Sequence, residues 1–128
     1  MKLNFKSLIN QNDELKTIQF TVPVETHHND TFKVFVFDEP NTNTKSMIEV
    51  SEQEINIHTS TSSIFLKYNQ EFEFNYVVND QGKEFLLPCI TNWTEKEFSD
   101  NKFVFKYFLK TKDTHIGEFE ITLELTDN

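Results

Sequence analysis

Few residues in this chain have side chains suited to chemistry: four histidines, one cysteine, a run of alternating carboxylates and a small serine cluster. A metal centre needs ligands that one element can present together. His27 and His28 are adjacent, so an extended backbone points them to opposite sides, and neither has a second ligand one helical turn away. His58 shares the parity of Asn56 and is expected to face solvent, and His115 is likewise read as a surface residue. No metal and no cofactor is expected. Cys89 is in phase with Phe85 and Leu87, which reads as a buried thiol, because a nucleophilic cysteine needs a neighbouring base and an electropositive setting. Glu118, Glu120 and Glu124 have the parity of a solvated face, whereas carboxylates doing acid–base work would have to point inward. Ser60, Ser62 and Ser63 fall in a turn over 60–63, and a nucleophile elbow needs a strand-to-helix setting with glycine neighbours. Gly82 and Gly117 are too far apart to form a phosphate-cradling loop. No residue is assigned a catalytic role, and a non-enzymatic protein is expected.

Charge narrows the partners. Twelve Lys+Arg against 21 Asp+Glu give a formal net charge of −9. Such a surface repels nucleic acid and anionic membranes, no run of lysines offsets it, and the chain has no arginine to read phosphates or guanines. A single cysteine cannot form an intrachain disulfide, so nothing requires an oxidising compartment. The N-terminus alternates instead of forming an apolar run, and no window approaches the roughly 18 apolar residues of a membrane span. The expectation is a cytoplasmic protein with no nucleic-acid and no membrane partner.

The elements that must position any site are strands. Ile48 and Val50, Ile55 and Ile57, Ile64, Leu66 and Tyr68, then Phe72, Phe74 and Tyr76 each recur at period two between Ser46 and Val78. Side chains alternate across a strand, so this pattern describes four consecutive strands with one apolar face. The breaks between them are a few residues long, which requires antiparallel hairpins. Leu3, Phe5 and Ile9 begin the series, followed by Ile18, Phe20, Val22 and Val24, where Pro23 marks an edge, a bulge or a lapse in pairing. Asn79-Asp-Gln-Gly82 is the strongest turn signal. Phe85, Leu87 and Cys89, then Phe103, Phe105, Tyr107 and Leu109, then Phe119, Ile121, Leu123 and Leu125 complete the series. Residues 91–98 fit either a short helical turn or a distorted strand. About eight to ten short strands joined by hairpin-length breaks predict an all-β, antiparallel up-and-down meander closed into a barrel, as a single domain over 1–128.

The segments Ile48-Glu-Val-Ser-Glu-Gln-Glu-Ile-Asn-Ile57, Tyr107-Phe-Leu109 and Gly117-Glu-Phe-Glu-Ile-Thr-Leu123, with Lys6-Ser-Leu-Ile9, Gly82 and Thr91, resemble the YwiB-like family of unknown function. The likeness spans nearly the whole chain and is carried by strand alternation with a few turn residues. It implies a calycin-like (lipocalin-like) β-barrel and no particular activity. Where the family is expected to place an arginine and then a glycine, this chain has His58 and Ser60, so no role of that arginine transfers.

Two functional expectations follow from the faces of the strands. The inward faces are nearly free of charge and offer Phe5, Phe20, Phe72, Phe74, Phe103, Phe105 and Phe119 with Tyr68, Tyr76, Tyr107 and Trp93. Of these Tyr68, Phe72, Phe74, Tyr76, Phe103, Phe105 and Tyr107 would line an interior holding a small apolar ligand, a tyrosine hydroxyl fixing its polar end. The plain alternative is a barrel filled by these same side chains. The other functional expectation uses two strands that are apolar on both sides. If Val34 and Val36 point inward, Phe35 and Phe37 lie outside with Phe108 and form a homodimer or protein-interaction surface.

Overall fold

Alternation at period two yields ten strands in the computed structural model, which describes residues 1–60 and 62–127. They are β1 (Lys2–Gln11), β2 (Glu14–His28), β3 (Lys33–Asp38), β4 (Lys45–Val50), β5 (Glu54–His58), β6 (Ser63–Lys67), β7 (Glu71–Asp80), β8 (Lys83–Phe98), β9 (Lys102–Lys110) and β10 (His115–Thr126). All belong to one antiparallel sheet of order β6-β5-β4-β3-β2-β1-β10-β9-β8-β7. Every strand therefore pairs with its neighbour in sequence except β6 and β7, and β1 pairs with β10 to bring the two ends of the chain together. The hairpin turns are held by residues in the left-handed region, Asn12 and Asp13 (φ 52 and 64) before β2 and Gln81 and Gly82 (φ 52 and 78) before β8. Among the described residues no helix is long and apolar enough to cross a membrane.

The expected run of four hairpin-paired strands is corrected at its last step, because β6 and β7 share no ladder. They form the seam of a nearly closed barrel. The chain turns at Asn69 (φ 60), and β6 then meets β8 directly through a parallel bridge between Tyr68 and Trp93. The Asn69 N–H donates to the Trp93 carbonyl at 2.7 Å, and the buried Thr91 hydroxyl donates to the Phe65 carbonyl at 2.6 Å. Strand β7 lies across the outer face of β6, where the Phe65 ring meets Phe72 at 6.3 Å and Phe74 at 5.8 Å. The sheet thus overlaps itself instead of joining edge to edge.

Residues 91–98 are strand, bent by a bulge between Trp93 and Glu95. The bulge lets the Trp93 Nε1–H donate to the Glu95 carbonyl at 2.8 Å while the indole stays in the core. Pro23 sits where β2 changes partner, pairing with Lys2 of β1 just before Val24 begins the ladder with β3. At the other end of the sheet's core, Gly117 is buried against β1, and a Cβ there would lie 2.8 Å from Gln11 Cγ and 3.0 Å from the Asn10 carbonyl oxygen.

Register also reverses the expected faces of β3. Phe35 opposes Ile48 and Phe37 opposes Ser46, whose side chains point inward, while Val34 and Val36 oppose Glu49 and Met47 on the outer face. Phe35 and Phe37 are consequently core residues, 0% and 5% exposed. A strand apolar on both faces cannot declare its inner face alone, and the pairing with β4 decides it.

Candidate functional site

The turns β2–β3, β4–β5, β6–β7 and β8–β9 lie at one end of the barrel, called the lower end, and the remaining turns at the upper end. The lower half is filled. Trp93, Phe35, Phe105, Leu3, Ile48, Ile55, Leu66 and Leu123 are all fully buried there. Phe105 and Phe103 belong to this packing, with Phe103 edge-on to Phe35 at 5.5 Å and to Phe98 at 5.4 Å. Tyr68 packs edge-on against Trp93 at 5.0 Å, and Lys96 caps the Tyr68 ring at 4.2 Å while pairing with Glu52 at 2.8 Å. Of the seven residues expected to line a ligand site, Tyr68, Phe103 and Phe105 thus fill the lower core. Phe72 and Phe74 cover β6 from outside.

Tyr76 and Tyr107 remain at the upper half, where the packing changes character. Phe5 stacks on Phe20 at 4.8 Å, both lean on Phe37, and Tyr107 stacks on Phe119 at 5.0 Å. By register Phe5, Ile9, Phe20 and Phe119 point into the barrel, yet each stays partly exposed, as do Ile57, Ile64 and Tyr76. Phe5, Phe20 and Phe119 are read from the sequence as inward-facing but not as lining a ligand site, and Ile9, Ile57 and Ile64 join them here. Ile18 and Phe20 alternate visibly, but nothing in the pattern says which layer of a barrel is full.

Burial pushes the Tyr107 phenol far above its usual range, with the Tyr76 hydroxyl adding to the effect, and burial also raises the Cys89 thiol. Both groups stay protonated in the fold after their unfolded counterparts ionise, near 9.0 and 10.0. The unfolded chain then binds fewer protons, so the stability present below pH 9 is lost as pH rises, by up to about 1.4 kcal/mol per pH unit and group. Urea unfolding between pH 8 and 11 is expected to show this decline, with a shallower slope for Tyr107→Phe. An unchanged slope in that variant would contradict the assignment. Cys89 is a free and buried thiol, the placement expected from the sequence.

Outside the barrel, two hairpins extend beyond the upper end. The β7–β8 hairpin leaves Phe85 and Leu86 exposed by 52% and 65%, and the β1–β2 hairpin leaves Leu15 exposed by 73%. A groove of about 570 Å³ opens at the base of the β7–β8 hairpin, lined by residues including Asn75, Pro88, Ile90 and Lys112. Phe108 is on the exterior as expected, half-buried beside His115 at 6.0 Å. With Phe35 and Phe37 inside, it forms no patch with them.

A polar ladder crosses the outer face of β4, β5 and β6. Glu49 Oε1 accepts from Asn56 Nδ2 at 3.2 Å and lies 3.1 Å from His58 Nε2, while His58 Nδ1 lies 2.8 Å from Ser63 Oγ. A carboxylate only accepts, so in the neutral imidazole the proton sits on Nε2, and Nδ1 accepts from the Ser63 hydroxyl. Ser63 is the first residue of β6, not part of the turn, and Thr61 of the expected 60–63 turn lies outside the described residues. The signal was available in the hairpin register, which sets His58 opposite Ser63. Among the described residues no three His, Cys, Asp or Glu side chains gather as metal ligands.

No family model matches the chain. It is 34% identical over 128 residues to an uncharacterized protein of Mycoplasmopsis pulmonis, covering 98% of both chains. Its fold superposes on the crystal structure of the ywiB protein from Bacillus subtilis with a TM-score of 0.70 at 16% identity, over 98% of this chain and 91% of that one. That likeness shows the barrel alone, whereas the Mycoplasmopsis relative shows kinship along the full length. The chain belongs to the family of that relative, a YwiB-like family of β-barrel proteins.

Proposed function

We propose that the protein is a lipocalin-like binder of a small, neutral, aromatic or apolar molecule, held at the upper mouth of its barrel. The observation that carries this reading is the contrast between layers. In the lower half Trp93, Phe35 and Phe105 are fully buried while Tyr68 and Phe103 are partly so, whereas in the upper half Phe5, Phe20 and Phe119 all keep part of their surface open. Partly exposed aromatic surface pointing inward at the upper end, with the Tyr76 hydroxyl near Tyr107 and accepting from Ser62 Oγ at 3.2 Å, suits an apolar ligand with one polar end. The charge of −9 disfavours an anionic ligand, which selects neutral molecules. Nile red, a neutral dye whose emission brightens in apolar surroundings, is expected to bind saturably. The Phe20→Ala, Phe119→Ala double variant should weaken it by about tenfold or more, since each buried ring contributes on the order of 1.5–3 kcal/mol. A folded protein that leaves the dye dark would contradict the reading.

A second reading, a homodimer, has one observation behind it. Phe85, Leu86 and Leu87 are exposed together on a hairpin that has no cover of its own. Light scattering of the wild type against Phe85→Ser, Leu86→Ser is expected to show a dimer reduced to a monomer. A monomeric wild type at high concentration would remove this reading.

A further inference from the structure

The outer-face ladder on β4–β6 has the connectivity of a serine nucleophile with its base. We infer that Ser63 is a nucleophile toward activated esters, with His58 as its general base and Glu49 as the positioning residue that holds the imidazole. Three observations combine. First, the hydrogen bonds fix the direction of the relay: the His58 Nε2–H donates to Glu49 Oε1 at 3.1 Å, which leaves the Nδ1 lone pair to receive the Ser63 hydroxyl proton at 2.8 Å. The pair is also partly withdrawn from water, with His58 30% and Glu49 20% exposed, and Asn56 Nδ2 donates to the same Glu49 Oε1 at 3.2 Å.

Second, register frees the backbone amide of the nucleophile. The Thr59 N–H bonds the Ser62 carbonyl and the Tyr68 N–H bonds the Gln53 carbonyl, so hydrogen-bonded pairs bracket the β5–β6 ladder. Alternation then makes His58–Ser63, Asn56–Phe65 and Glu54–Lys67 the non-bonded pairs, whose N–H and C=O groups point away from the partner strand. The Phe65 carbonyl is consistent with that direction, since it receives the Thr91 hydroxyl from β8. The Ser63 N–H points the same way, away from β5 and toward the edge of β6 at the seam. A nucleophile's own amide is one of the donors that a tetrahedral oxyanion needs. Non-bonded pairs also bring side chains closest, which is why His58 and Ser63 touch.

Third, an aromatic ledge adjoins the relay. The Phe65 ring stands edge-on to His58 at 5.9 Å and continues into Phe72. This favours an acyl donor with a flat aromatic leaving group. A single oxyanion donor further restricts the class to esters whose leaving group departs easily, such as phenyl esters of short carboxylic acids.

In the reaction, Ser63 Oγ forms a bond to the ester carbonyl carbon while its proton passes to His58 Nδ1. The bond from that carbon to the phenolic oxygen breaks, and the phenolate takes the proton from His58, leaving an acyl ester on Ser63. Water then attacks the acyl carbon, His58 takes the water proton and returns it to Ser63 Oγ, and the carboxylic acid leaves. No other reactant is needed.

The test is incubation of the full-length protein with p-nitrophenyl acetate, followed by peptide mapping of the adduct by mass spectrometry. Ser63 is expected to acylate about 100-fold faster than the neighbouring Ser62, which serves as a control within the same molecule. His58→Gln should lower the Ser63 rate by about 100-fold. Glu49→Gln should lower it less and alter its pH profile, a change that a merely structural role would not produce. Of the ionisable groups, Glu49 from β4 contacts His58 directly, Glu54 on its own strand and Lys67 from β6 share its face by register, and the Tyr76 hydroxyl from β7 meets the adjacent Ser62 at 3.2 Å. The three polar side chains lie outside the core, so thermal melts of the variants should match the wild type. Acylation confined to lysines, or equal rates at Ser62 and Ser63, would overturn the proposal, and neither result depends on a variant folding.

Discussion

Replacing Trp93 by alanine is expected to destabilise the protein by about 3–5 kcal/mol, a large part of the total stability of a domain this size. The indole is 0% exposed and contacts Tyr68, Phe98 and Phe105, so its removal leaves a cavity that a ring of strands cannot collapse around. It is also where the seam closes, since Trp93 bridges Tyr68 and its carbonyl holds the Asn69 amide. Loss of the side chain should therefore loosen β6 from β8 as well as weaken the core. Urea unfolding gives the free energy, and hydrogen exchange at Asn69 reports the seam. Trp93→Phe keeps much of the packing but orphans the Glu95 carbonyl, and a smaller loss is expected. A cost below about 1 kcal/mol for Trp93→Ala would mean that the barrel does not close through this residue.

Phe35→Ala carries the second large effect, again about 3–5 kcal/mol, whereas Phe108→Ala should cost about 1 kcal/mol or less. The two positions look alike in sequence, each a phenylalanine on a strand that is apolar on both faces. Phe35 is fully buried, with its ring edge-on to Phe103, while Phe108 is half-buried on the exterior beside His115 and Lys106. Parallel denaturation curves of the two variants decide the inner face of β3. Similar midpoints would contradict the pairing of Phe35 with Ile48 on the inner face.

The strands themselves were legible because Ile48/Val50, Ile55/Ile57 and Phe119/Ile121/Leu123/Leu125 alternate cleanly, and short breaks leave antiparallel hairpins as the only connection. Turn chemistry located the reversals at Asn12–Asp13 and Gln81–Gly82. What stayed hidden is what depends on partners distant in sequence. The inner face of β3 is set by its register with β4, and the overlap of β7 on β6 arises only when the sheet curls past its own edge. Phe72 and Phe74 alternate like core residues because they do bury themselves, but on Phe65 and not in the barrel interior. The ladder from Glu49 through His58 to Ser63 is polar, and polarity on a solvated face gives no pattern from which to read mutual distance. Only the cross-strand register brings those three together.

The open upper mouth is the central claim, and chemical-shift mapping addresses it most directly. Naphthol, a neutral aromatic with one hydroxyl, would be titrated into protein with isotope-labelled isoleucine methyls and phenylalanine rings. Saturable shifts are expected at Phe5, Ile9, Ile18, Phe20 and Phe119, with the lower core at Phe35, Ile48, Ile55 and Phe105 unmoved. Shifts confined to Phe85 on the projecting hairpin, or none at any concentration, would contradict it.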